Sequence, residues 1–360
     1  MLLVRQPRCP PSKSLQYYLH CGKRFISTSP LNPSSKFKIL FMGRDEFSCL
    51  ALQQLHRSNL WDEIHLATHP DQKVDRSSRL SVSPLKILGS SLGLPVHTIP
   101  MSKLEFRNWT LPPPFTDVVG SPSSKHVLIT ASFGRILPLK MLKLFAPDRR
   151  LNVHPSLLPA YRGPAPIQHA LLNDEKETGV CVINMLPKAR GIDTGPIWAK
   201  RTIPISPNVS YSQLREKLAS EGGHLLVSVL QDMLNGREVS IPQSDTIPAS
   251  LAPTITFQDT VLDFSKMTAK AIVRIHWALS HQRPLTAFLQ PVKTVQIHSP
   301  SLYTSPLPPW APTLPGEPVK QEGKALVDAG AWWNGVKGLG LVVNNEITFD
   351  DPDDIDHSTQ

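Results

Sequence analysis

The stretch that decides the fold is HVLITASFGRILPLKMLKLFAPDRRLNVH, residues 126–154. His126–Ala131 is a short, mostly apolar run with β-branched residues at Val127, Ile129 and Thr130, which reads as a strand buried on both faces. Phe133–Pro138 holds a Gly and a Pro and reads as the loop that follows. A helix is expected near 139–145, and Leu151–His154 is the next strand. Strand, helix and strand in so short a span imply a crossover between parallel neighbours.

Working outward, the same alternation continues. Lys36–Gly43 reads as a buried first strand, followed by a helix with Phe47, Leu50, Ala51 and Leu55 near one face. Ile64–Thr68 is a second strand, Pro84–Leu92 a helix and Val96–Ile99 a third short strand. Residues 105–125, with three consecutive prolines, read as irregular. Downstream, a helix at Gln168–Asn173, strands at Gly179–Met185 and Trp198–Ile203, and a long helix at Tyr211–Leu234 close the unit. The expected class is α/β, a doubly wound, mainly parallel sheet over residues 36–235. In such sheets ligands sit beyond the carboxyl ends of the strands. Residues 236–261 read as a linker. Residues 262–343 read as a second, small β-rich unit, with a helix near 268–280 and then only β pieces over 284–343. An acidic disordered tail is expected at 344–360.

The net charge of +9 is unevenly placed. Residues 1–35 carry Arg5, Arg8, Lys13, Lys23 and Arg24 and no acid. The end carries Glu346, Asp350, Asp351, Asp353, Asp354 and Asp356 and no base. The two ends nearly cancel, so the positive charge belongs to the body and suits a polyanionic partner. The N-terminal arm is basic and rich in Ser and Pro, the composition of a mitochondrial transit peptide, which puts the mature chain in the matrix. Cys9, Cys21, Cys49 and Cys181 have no metal-binding spacing, so no zinc site is expected. No run is long and apolar enough for a membrane span, and a monomer is expected.

The chemistry concentrates just after the deciding stretch, in LNVHPSLLPAYRGPAPIQ (151–168) and GIDTGPI (191–197). Alternate side chains of a strand share a face, so Asn152 and His154 project together. An amide can donate to a developing oxyanion, and an imidazole can act as acid or base near neutrality. Asp193, in a Gly-flanked turn, can hold that imidazole or take a proton. These are parts for moving an acyl group onto an amine, without a nucleophilic Ser or Cys. An Asn-x-His at a strand end is by itself more often structural, and its neighbours supply the specificity.

NVHPSLLPAYRGPAPIQ, ETGVCVINM and GIDTGPI together resemble the methionyl-tRNA formyltransferase family. KILFMGRDEFSCLAL resembles that family's first strand and turn, SPLKILGSSLGLPV its second helix, ITASFGRILP its loop before the active site, and TVLDFSKMTAKAIVRIHWAL the start of its C-terminal domain. The resemblance spans residues 36–300. It implies a Rossmann-like catalytic domain, an OB-like tRNA-binding domain, and formyl transfer from 10-formyltetrahydrofolate, a co-substrate, to methionine on initiator methionyl-tRNA. It assigns catalysis to Asn152, His154 and Asp193. It assigns folate binding to Ser156, Leu157, Leu158 and Pro159 with Gly134, Ile136 and Leu137, and tRNA contact to Lys73, Arg76 and Arg79, with no metal.

The sequence departs from the family pattern in three places. The first turn reads GRDEF where the family usually has GTPDF, which introduces Arg44. LPKARG before Asp193 is longer and more basic than the usual turn. GKALVDAGAWWNGVKGLGLVV does not follow the C-terminal pattern. Competing readings are another folate-dependent formyltransferase, a 10-formyltetrahydrofolate hydrolase that passes the group to water, and a non-catalytic tRNA- or folate-binding relative. A dinucleotide-dependent dehydrogenase is disfavoured, because the first strand runs into Gly43-Arg44-Asp45 rather than a G-x-G-x-x-G turn.

Overall fold

A computed structural model describes residues 36–73, 80–116, 120–244, 246, 248–289, 293–302, 318–344 and 346–354. The N-terminal arm, Arg76 and Arg79 lie outside the described residues.

The first unit runs β1 (Phe37–Gly43), α1 (Glu46–Arg57), β2 (Trp61–Thr68), β3 (Gln72–Lys73), β4 (Leu80–Ser81), α2 (Pro84–Ser91), β5 (Val96–Thr98), α3 (Lys103–Asn108), β6 (His126–Ala131), α4 (Leu139–Leu142), β7 (Arg150–His154), α5 (Pro166–Leu172), β8 (Glu177–Asn184), β9 (Ile197–Pro204) and α6 (Tyr211–Leu234). Seven strands form one sheet in the order β5-β2-β1-β6-β7-β8-β9. The first five are mutually parallel; β8 and β9 run antiparallel.

The period of two in β1 explains the layering. Phe37, Ile39 and Phe41 face one core with α1 and α6, while Leu40 and Met42 face another with Phe106, Phe115 and Phe145. A strand covered on both faces needs an unbroken apolar run. In β7, Leu151 and Val153 enter the first core, so Asn152 and His154 are turned to the opposite face. Helix α6 starts in a capping box in which Ser210 and Gln213 satisfy each other's backbone N–H groups.

Two expectations in this unit are revised. Residues 105–125 are not wholly irregular, because α3 starts where the Ser102 hydroxyl accepts the Glu105 N–H. The basic loop after β2 is a hairpin at its base, since β3 and β4 pair antiparallel.

The segment read as a linker is pinned along the sheet. Ile241 exchanges backbone hydrogen bonds with Ile197, and Ala252 donates to Arg162 while its own carbonyl accepts from Ala165. The second unit comprises α7 (Ala269–Leu279), β10 (Leu285–Leu289), β11 (Lys293–Ile297), β12 (Pro318–Gln321), β13 (Leu326–Asp328) and α8 (Ala329–Gly338). Its sheet is antiparallel, in the order β10-β11-β12-β13.

Residues 284–343 are therefore not all β. Asp328 caps α8 through the Ala331 N–H, and Trp333 and Val336, three residues apart, are buried beneath it. The expected disordered tail is also corrected for residues 346–354. Ile347 and Phe349 join the small core, Phe349 packs on Phe264 and Trp332, the Asp350 N–H donates to the Phe288 carbonyl, and Asp353 pairs with Lys266.

Phe349 is only half-buried, so Phe349→Ala should cost less than a fully buried Phe, about 2 kcal/mol. Hydrogen exchange should then speed up in β10 and β11 and stay unchanged in β1 and β6. Unchanged exchange in β10 would show that the closing segment is not part of this core.

Candidate active site

The carboxyl ends of β6 and β7 carry the reactive groups. Thr130 and Asn152 are register partners. The Thr130 hydroxyl donates to Asn152 Oδ1 at 2.8 Å, which fixes the amide so that its NH2 points away from β6. One Asn152 N–H then donates to Asp193 Oδ1 at 3.3 Å. Its second N–H has no partner among the described residues and is available to an oxygen arriving in front of the strand end.

His154 is 4% exposed. Its Nε2 lies 2.9 Å from the Tyr161 carbonyl oxygen. A carbonyl only accepts, so Nε2 carries a hydrogen and Nδ1 is the nitrogen free to gain or lose one. Nδ1 lies 3.6 Å from Asp193 Oδ2, beyond hydrogen-bonding distance but close enough for an ion pair once the ring is protonated.

Asp193 needs an unusual turn. Its own φ is +54° and that of Gly191 is +102°. A Cβ on Gly195 would lie 1.8 Å from the Asn184 carbonyl oxygen, so only glycine fits there. The Gly163 N–H donates to Asp193 Oδ2 at 3.0 Å. Gln243 locks the turn from the supposed linker: its Nε2 donates to the carbonyls of Asp193 (2.6 Å) and Gly195 (2.9 Å), and its Oε1 accepts from Arg162. The structure thus brings Asn152, His154 and Asp193 together.

Sequence reasoning missed four supports: Thr130, Tyr161, Arg162 and Gln243. Thr130 carried a readable signal, as the strand residue three before Phe133. Gln243 carried none, since only the tertiary path of residues 236–261 brings it here. Tyr161 holds His154 through a left-handed backbone, φ +60°, that a bulky residue seldom adopts. It is held in turn by Ser250, which accepts its N–H, and by Glu175 and Asn173, which bind its phenol.

The other candidates divide. Ile136 is 49% exposed, and a Cβ on Gly134, at φ +76°, would meet open space. The Phe133–Pro138 loop therefore offers an apolar side chain and a bare backbone beside the reactive row. Leu137 is buried in the second core. In the turn after His154, Leu158 packs on Cys181, Ile183 and Ile197, and Pro159 is buried. The Ser156 hydroxyl is taken by the Ala160 carbonyl, and Leu157 is half-buried against Gly179. Ser156 and Leu158 thus shape the turn, and its backbone is tied by the Ser156 N–H to the His154 carbonyl and the Ala160 N–H to the Leu157 carbonyl. Lys73 lies on β3.

Residues 37–230 match the formyl transferase family. The chain belongs to the formyl transferase family. It is 34% identical over 253 residues to a methionyl-tRNA formyltransferase of Dictyoglomus turgidum, covering 70% of this chain and 76% of that relative. It is also 34% identical over 241 residues to one of Lactiplantibacillus plantarum, covering 65% and 69%. Among solved structures it resembles the sugar 3N-formyl transferase WlaRD, with a TM-score of 0.53 at 18% identity, covering 80% of this chain and 99% of that one. A sugar N-formyltransferase from Shewanella gives 0.52 at 17%, covering 75% and 99%. At those identities the structures speak for the fold alone.

Thr130→Val keeps the shape but releases the Asn152 amide. Formyl-transfer turnover should fall about tenfold, equivalent to about 1.4 kcal/mol of barrier, with little change in thermal midpoint. Wild-type turnover in this variant would remove Thr130 from the orientation of Asn152.

Proposed function

We propose that this chain formylates the amino group of methionine on initiator methionyl-tRNA, with 10-formyltetrahydrofolate as donor. The observation that carries the reading is the convergence of Asn152, His154 and Asp193 on a family-matched turn beside an exposed apolar loop. The relatives at 34% identity bear the name of this activity.

The folate, when bound, supplies a formyl carbon attached to a nitrogen leaving group. Exposed Ile136 and open Gly134 suit the flat face of such a molecule, with the turn from Ser156 to Pro159 as the opposite wall. The free N–H of Asn152 is placed to donate to the formyl oxygen as negative charge builds there. Nδ1 of His154 is the nitrogen able to take the proton that the attacking amine must lose, and Asp193 then faces the imidazolium across 3.6 Å. The site residues need no metal for these steps. Lys73, Arg76 and Arg79 give the hairpin after β2 the charge to meet the acceptor's phosphates. We further place the protein in the mitochondrial matrix, on the acid-free basic arm of residues 1–35.

Incubation with labelled formyl donor and methionyl-tRNA should place label on the methionine. Asp193→Asn should cut that transfer by about 100- to 10,000-fold, the range of general acid–base contributions. Folate consumed without transfer would favour the hydrolase. A reporter fused behind residues 1–40 should enter mitochondria, and a diffuse cytosolic signal would refute the address.

A further inference from the structure

The first turn departs from the family pattern at Arg44, which the chemistry above leaves unused. β1 ends at Gly43, which pairs with Ala131 of β6, and the preceding pair joins Met42 to Thr130, whose neighbour on β7 is Asn152. Arg44 therefore opens two strands away from Asn152, about 10 Å at ordinary strand spacing. The sheet also changes direction here. β2 and β5 are added on one side of β1 and β6 and β7 on the other, so Arg44 borders the switch point where open α/β sheets receive ligands.

The backbone of Arg44 is fixed on both sides. Its carbonyl accepts from Ser83 Oγ (2.7 Å) and the Leu85 N–H (3.3 Å), and its own N–H donates to Ser48 Oγ (3.0 Å). Its side chain is exposed and makes no ion pair among the described residues. The two adjacent acids are engaged elsewhere. Asp45 accepts from the Ser48 N–H and the Ser132 hydroxyl, and Glu46 pairs with Arg215.

The neighbouring cation, Arg135, makes no ion pair among the described residues either. Arg135 donates to the carbonyls of Pro100 (2.8 Å) and Met101 (2.6 Å) and lies over the Phe106 ring at 5.2 Å, all neutral partners. His69 completes the corner, with Nε2 2.7 Å from the Phe133 carbonyl oxygen. Burial lowers the affinity of His69 for a proton, and the charges of Arg135 and Arg44 lower it further. Two arginines thus act on one corner, and neither pairs with a carboxylate among the described residues.

We propose that Arg44, backed by Arg135, binds the phosphate on the 5′ side of the terminal nucleoside of the aminoacyl acceptor, at the switch point between β1 and β6. The inference rests on the acceptor proposed above. In a 3′-aminoacyl nucleotide the amine and that phosphate are eight bonds apart, a reach of about 10 Å when extended. An amine at Asn152 and a phosphate at Arg44 match this span. The base of the β3–β4 hairpin lies alongside, with Gln72 Nε2 3.9 Å from the Met101 sulfur. The carboxylate tail of a folate is the other anion that could use two arginines.

The test measures steady-state formylation of methionyl-tRNA by wild type, Arg44→Thr and Arg44→Lys over a range of salt concentrations. Arg44→Thr should raise KM for methionyl-tRNA about five- to tenfold and leave KM for 10-formyltetrahydrofolate unchanged. It should also reduce the slope of log(kcat/KM) against log[salt] by about 0.7, the loss of one single-strand phosphate contact. Arg44→Lys should recover most of the loss. An unchanged KM and salt slope would overturn the site, and a rise confined to the folate KM would assign it to the folate tail instead. If wild type fails to formylate methionyl-tRNA, the proposed function fails first, independently of Arg44.

Discussion

The carboxylate of Asp193 sits over the end of β7 because three separate segments hold it there. Asn152 reaches it from the strand, the Gly163 N–H from the turn after His154, and Gln243 grips its backbone from residues that cross back after α6. None of these contacts is local in sequence. The sheet must first bring β6, β7 and β8 side by side, with Leu151 and Val153 buried beneath, before the amide, imidazole and carboxylate can face one another. The two-faced core is thus a precondition for the chemistry. It fixes the strand ends, and the strained turns at Tyr161 and Asp193 are tolerated because their surroundings over-determine them.

What was legible in the sequence follows from the range of the interactions. His126–Ala131 and Tyr211–Leu234 are readable because burial imposes an apolar run on the first, and a capping box and apolar spacing mark the second. Asn152 and His154 share a face by the period of a strand alone. Helix α8 is hidden by Gly330, Gly335 and Gly338, which look like loop residues. Its cap at Asp328 and its buried Trp333 and Val336 outweigh them. Gln243 and Tyr161 act through backbone paths that no local pattern encodes. The last acidic residues were misread for a related reason. Charge argues for a solvated tail, but Phe349 among them has an aromatic niche built by Phe264 and Trp332.

The same division separates the parts of function. The proposed chemistry rests on a compact set of side chains, Asn152, His154 and Asp193, held by the first unit together with Gln243 from the segment after α6. Delivery of the acceptor, as proposed above, falls to the basic residues after β2 and to Arg44 and Arg135. A polyanion meets such a surface at many points, each individually weak and salt-sensitive, so single residues there tune affinity more than turnover.

The claim that Asn152 and Asp193 work as one unit is tested most directly by a double-mutant cycle on single-turnover formyl transfer. The variants are Asn152→Ala, Asp193→Asn and their combination. If the pair acts together, the double variant should be no slower than the worse single variant by more than a few-fold. Losses that multiply would mean two independent contributions and contradict the account.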